Sequence, residues 1–110
     1  MPVFKLLRAA EWAAFTARGS LAGSPLDLAD GYVHLSTAAQ AEETARRHFA
    51  GEEGLMLVAL DDARLAPDLA WEPSRGGDLF PHLYRAMRAE DVLWSAPLPL
   101  EGGAHVFPPL

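Results

Sequence analysis

The chain contains no cysteine, which excludes disulfides and thiolate metal sites and leaves nothing that argues for an oxidising compartment. No apolar run approaches the ~20 residues of a membrane span, and Met1-Pro2-Val3-Phe4-Lys5 lacks the basic and apolar regions of a signal peptide. A cytoplasmic protein with no membrane partner is the expectation. Cations are scarce: nine Lys and Arg stand against fifteen Asp and Glu, for a formal net charge of -6. That balance opposes binding to a nucleic-acid backbone, where affinity rests largely on cations that displace counterions. A local cluster could still grip a small phosphate ligand, and Arg75, Arg85 and Arg88 are the nearest candidates. Catalytic signatures are missing as well. There is no HxxxH or HxH spacing, the four histidines His34, His48, His82 and His105 fall on unrelated elements, and no metal site is expected. No Gly-x-Ser-x-Gly elbow exists, and Gly76-Gly77 alone is not a phosphate loop.

What is present suffices for one core. The chain has 110 residues, half of them hydrophobic, and shows no repeat or linker, so residues 1–110 read as a single domain. Val3 to Leu7 reads as a first strand. Ala9 to Arg18 reads as a helix whose Trp12 and Phe15 lie on the core, with Gly19 as terminator. Gly19 to Asp30 reads as a loop, of a length that often forms a binding lid. Thr37 with Gln40 matches a capping box and starts a second helix. Its stripe is Ala41, Ala45 and Phe49, its wet side carries the pairs Glu42–Arg46 and Glu43–Arg47, and Gly51 or Gly54 ends it. Leu55 to Leu60 is a continuous apolar run expected to be a central strand buried on both faces. Leu69 to Glu72 reads as a brief strand, Phe80 to Arg85 as an edge strand because of Pro81, and Val92 to Leu98 as a last strand before an irregular tail. The class is α+β, with two main helices and a mostly antiparallel, split sheet.

Two segments carry unusual polar groups. In Gly31-Tyr32-Val33-His34-Leu35-Ser36-Thr37, a two-residue period puts Val33 and Leu35 on one face and Tyr32, His34 and Ser36 on the other. In Leu79-Phe80-Pro81-His82-Leu83-Tyr84, His82 and Tyr84 share the face of Phe80. Each strand thus offers an apolar face for a core and a face with an imidazole beside a phenol, as in the floor of a pocket. Each imidazole could serve a ligand or simply satisfy a neighbouring carbonyl. Glu72 could end its strand at the lip of a cleft or sit solvated beside an arginine. Tyr32 and Tyr84 could stack on a flat ring or line the edge of an ordinary core.

The order Gly31-Tyr32-Val33-His34-Leu35-Ser36-Thr37 with Gln40, then Trp71-Glu72, then Phe80-Pro81-His82-Leu83-Tyr84, resembles the small bacterial proteins grouped as domain of unknown function 952. That family is similar in fold to the ADP-ribosyltransferase superfamily, in particular its RNA 2'-phosphotransferase branch. The resemblance implies a split sheet around a cleft that in active relatives holds NAD as ligand or co-substrate. Where family members begin with an aromatic-His pair, this chain has Phe4-Lys5, a point-charge donor able to hold a ribose or phosphate oxygen. Nicotinamide departure would leave an oxocarbenium-like sugar that needs a carboxylate nearby, for which Glu72 is the candidate. His82 is the candidate acid or base, and Lys5, Tyr32, His34, Ser36 and Tyr84 are the candidate ligand-binding residues. The expected function is binding of NAD or a related nucleotide, or transfer of ADP-ribose. The alternatives are a non-catalytic small-ligand sensor or accessory module with the same cleft, and a structural role for both histidines.

Overall fold

A short apolar run broken by Lys5 builds the first strand, β1 (Pro2–Leu7), and the computed structural model describes it with the rest of residues 1–110. Helix α1 (Ala9–Arg18) follows, with Phe15 buried, Trp12 packed at the edge of the same cluster, and Gly19 closing the helix at φ 74°. The stretch expected to be a loop up to Asp30 is instead a short strand, β2 (Ser20–Leu21), and a helix, α2 (Pro25–Asp30). Pro25 opens α2 with its fixed φ, and Asp27 accepts from the Ser24 amide while the Ser24 hydroxyl accepts from the Asp27 amide. Gly31 ends it at φ 86°.

The His34 segment contributes only two residues to a ladder, β3 (Val33–His34). Helix α3 (Ala38–His48) begins as expected, with Gln40 Oε1 accepting from the Thr37 amide at 3.0 Å. Ala41 and Ala45 are buried and Phe49 packs half-buried beside them, but Phe49 itself caps the helix, before either glycine. Glu43 takes both Arg46 and Arg47 as partners, and Glu42 takes neither.

Strand β4 (Met56–Asp61) is the central strand that its apolar run implied, with Leu57, Val58, Ala59 and Leu60 fully buried. Asp61 caps the single turn α4 (Asp62–Leu65). Strands β5 (Leu69–Pro73) and β6 (Leu79–Leu83) are joined by a turn whose Arg75–Gly77 portion is a 3-10 helix. After β7 (Met87–Arg88) comes β8 (Val92–Pro97). The tail first forms a hairpin that was not expected, β9 (Leu100–Glu101) and β10 (Ala104–His105) around Gly102-Gly103, and is irregular from residue 106 on, through Pro108 and Pro109. Both glycines there have positive φ, 61° and 84°, as a tight hairpin turn demands.

Two three-stranded antiparallel sheets carry the fold, in the orders β1-β4-β8 and β3-β6-β5. The class is α+β. Alternate residues of β1 and β4 feed cores on opposite faces: Val3, Leu7, Val58 and Leu60 on one, Phe4, Leu6, Leu57 and Ala59 on the other. The first core also takes Val33, Leu35 and Leu83 from the second sheet. Strand β6 is central, not the edge that Pro81 suggested. The reason is local: β3 covers only Leu83 and His82, so no partner amide ladder continues past Pro81, whose carbonyl still accepts from the Leu35 amide at 3.1 Å.

The sheets touch through one antiparallel bridge, in which Phe4 N donates to Ser36 O at 2.7 Å and Ser36 N to Phe4 O at 2.9 Å. A continued ladder would set Leu6 opposite His34. The strands part instead, and Lys5 Nζ reaches into the gap to donate to His34 O at 3.1 Å. This split opens a cavity between the sheets. No helix of the chain is long and apolar enough to cross a membrane.

Candidate functional site

The cavity at the split has a volume of about 240 Å³ and is walled by β1, α2, the His34–Ser36 segment, α3, and the turn between β5 and β6. The outward face of the His34 and His82 strands lines it, as the two-residue period implied. Lys5, His34, Ser36 and His82 all reach the cavity, and the two imidazole centroids lie 5.6 Å apart. Glu72, Tyr32 and Tyr84 do not line it but stand directly behind that wall. Tyr32 stacks on His82 at 4.1 Å and tilts against His34 at 4.6 Å, with Tyr84 at 5.3 Å on its far side.

One residue organises the inner end. The Asp27 side chain, 1% exposed, accepts from four donors: His34 Nδ1 at 2.6 Å and His34 N at 3.0 Å on one oxygen, Lys5 Nζ at 2.7 Å and Ser24 N at 2.9 Å on the other. That saturates the acceptor capacity of a carboxylate. Burial would push its pKa up, but the His34 hydrogen bond and the Lys5 charge outweigh burial and hold it well below the usual carboxylate range. His34 also meets Asp30 through Nε2, at 3.0 Å. Lys5 and His34, expected to hold ligand oxygens, are therefore engaged by carboxylates. Asp27 escaped the sequence patterns, although Ser24-Pro25-Leu26-Asp27 carries a helix-start signal that would have placed it.

The second imidazole is arranged differently. His82 is 3% exposed, and its Nδ1 lies 2.7 Å from Glu72 Oε1. An ionised carboxylate only accepts, so Nδ1 is the donor in this contact and Nε2 is the ring nitrogen left over. No protein group bonds Nε2. Because no fully buried polar side-chain atom lacks a partner, Nε2 keeps some exposure, and His82 is one of the residues that line the cavity. Glu72 also accepts from the Tyr84 phenol at 2.6 Å. The Tyr84 and His82 hydrogen bonds keep its carboxyl below the usual range. The same contact, from the other side, pushes the Tyr84 phenol up to about 12. Burial, followed by the carboxylates of Asp30, Glu72 and Asp27, raises Tyr32 too.

The outer end gathers Ser36, Thr44, His48 and Arg75. Thr44 Oγ1 donates to Gln40 O at 3.0 Å and is left to accept from Ser36 Oγ at 3.0 Å and, weakly, from Arg75 Nη2 at 3.4 Å. Partial burial, then the nearby Arg75 charge, lowers the pKa of His48. Arg85, another phosphate candidate, is committed elsewhere to Asp91 and Asp68, and Arg88 lies outside the cavity. Of the lining cations, Lys5 is paired with Asp27 and Arg8 with Glu52 outside the lining, which leaves Arg75 without a carboxylate. The cavity is thus formally cationic in a chain of net charge -6.

Comparison with solved structures places the same fold in a bacterial protein. The crystal structure of CC0527 from Caulobacter crescentus is 45% identical, with a TM-score of 0.92 over 96% of this chain and 94% of that one. The solution structure of CC0527 agrees at a TM-score of 0.84 and 45% identity, over 94% of this chain and 90% of that one. No curated protein matches the chain. The family model described as "Protein of unknown function (DUF952)" matches residues 6–95, and the chain belongs to that family.

Proposed function

We propose that the cavity at the sheet split binds NAD or a related nucleotide, as in the ADP-ribosyltransferase-like folds that the family resembles. The observation that carries this reading is the imidazole wall: His34 pinned by carboxylates, His82 held by Glu72 through Nδ1 with Nε2 unbonded, and Tyr32 stacked on His82 and tilted against His34. Ligand sites for drug-sized molecules span ~300–1,000 Å³. At about 240 Å³ the cavity suits one moiety of a dinucleotide. Its cationic lining supports an anionic ligand, against the charge of the chain as a whole.

In a transfer reaction His82 Nε2 would take the proton of the attacking acceptor, and Glu72, bonded to Nδ1, would orient the ring and stabilise the imidazolium. Glu72 is then a positioning residue, because its carboxylate stands behind His82 and not in the lining. The same placement favours a second reading, a non-catalytic sensor, since no carboxylate other than the fully engaged Asp27 is offered to a developing oxocarbenium ion. Thermal shift at millimolar NAD, ADP-ribose and nicotinamide tests binding, with chromatographic detection of released nicotinamide as the test of turnover. A rise in Tm with NAD or ADP-ribose is expected. Binding without consumption would assign the sensor role, and an unchanged Tm with all three would remove the nucleotide.

A further inference from the structure

Arg75 stands apart among the cations of this chain. Lys5, Arg8, Arg46, Arg47, Arg64 and Arg85 each have a carboxylate within salt-bridge distance, whereas Arg18, Arg75 and Arg88 have none. Of these three only Arg75 lines the cavity. It is not loose, because its guanidinium lies over the Phe80 ring at 5.0 Å and spends a single long hydrogen bond on Thr44. Thr44 is itself fixed by Gln40 O and Ser36, so one edge of the fork is anchored to α3 while four N–H groups remain unspent. A half-buried guanidinium held by an aromatic face and a hydroxyl, with no carboxylate to neutralise it, is organised for an oxyanion before one arrives. His48, at the C-terminal end of α3, lines the same part of the cavity and makes no hydrogen bond to protein, so it is a second free donor.

We propose that the outer end of the cavity, between α3 and the turn joining β5 to β6, is an anion subsite in which Arg75, aided by His48, receives a phosphate group. This rests on the nucleotide reading and deepens it: Arg75 would read the phosphate while His34 and His82, backed by Tyr32, would read the rest of the molecule. The subsite makes the ligand a phosphorylated one and sets its orientation along the cavity, phosphate outward and its other moiety toward His82. Asp27 does not oppose this, because Lys5 already offsets its charge at the other end.

The test is calorimetric titration of the full chain with pyrophosphate, AMP, adenosine and NAD, repeated in Arg75→Gln, Arg75→Lys and Arg18→Gln. Arg75→Gln and Arg18→Gln remove the same charge, but only the first lies in the cavity. Expected is binding of AMP well above adenosine, a loss of at least about tenfold for AMP and pyrophosphate in Arg75→Gln, an intermediate loss in Arg75→Lys, and no change in Arg18→Gln. Circular dichroism and Tm of each variant confirm folding. Equal AMP affinity in wild type and Arg75→Gln overturns the subsite and leaves the nucleotide reading standing. Pyrophosphate binding that depends on Arg75, without any nucleotide binding, upholds the subsite and removes that reading. Equal losses in Arg75→Gln and Arg18→Gln would reduce the effect to net charge and overturn the subsite.

Discussion

Replacing Asp27 by Asn keeps the side-chain shape and removes the charge that Lys5 and His34 share. Lys5 is 7% exposed at its side chain and bonds only Asp27 and His34 O, so the variant leaves a buried ammonium with one neutral acceptor and one weakened partner. Breaking a buried ion pair from one side costs about 3–5 kcal/mol. A 110-residue domain is stable by roughly 5–15 kcal/mol, so Asp27→Asn is expected to remove a large fraction of the total. Urea denaturation followed by circular dichroism at pH 7 measures it. Adding Lys5→Met removes the orphaned cation, and the double variant should be at least ~1 kcal/mol more stable than Asp27→Asn alone. The pH dependence carries a definite sign. The folded pKa of Asp27 is depressed, so its contribution is full above the unfolded value near ~3.9 and is lost as pH falls through the lower folded value. The wild type should therefore lose stability more steeply below about pH 4 than Asp27→Asn does. A loss of less than ~1 kcal/mol in Asp27→Asn at pH 7, or strict additivity of the two substitutions, would refute the idea of a coupled buried pair.

Glu72→Gln should bring the Tyr84 phenol down from about 12 toward the ordinary tyrosine value of ~10, read by ultraviolet titration against a Tyr84→Phe control; an unchanged titration would mean that the Glu72–Tyr84 hydrogen bond is not formed in solution. Gly23 has φ 134°, and an added Cβ would lie 2.5 Å from Asp27 Cβ, so Gly23→Ala is expected to cost about 1–3 kcal/mol in urea denaturation. Gly51→Ala, at φ 75° in open space, is the comparator and should cost less; parity between the two would show that the Asp27 contact gives way freely.

Patterns of one period carried over well. The continuous run from Leu55 to Leu60 became a strand with cores on both faces, because uninterrupted burial leaves no solvated side for a polar residue. Alternation put His34, Ser36 and His82 on the cavity side and Val33, Leu35 and Leu83 in the core, as pleating requires. Errors came where a local rule met a tertiary exception. Pro81 suggested an edge strand, yet a partner as short as β3 demands no amide from Pro81. Gly, Ser, Pro and Asp between Gly19 and Asp30 looked like loop composition, although Ser24-Pro25 with Asp27 is also how a helix begins.

The sequence by itself determined the α+β class, the family, the central strand, and the polar faces of the two histidine strands, since each of these depends on residues near one another in the chain. Only the tertiary structure decided what those polar groups do. Lys5, Asp27 and His34 meet because β1 and β3 part after a single bridge, and a carboxylate 22 residues from Lys5 is drawn in to offset its charge. Glu72 came to stand behind His82 instead of beside a ligand because Ala70, not Glu72, is the residue of β5 opposite His82. Distances of this kind arise from sheet register and helix placement, and electrostatics at 3 Å follows them.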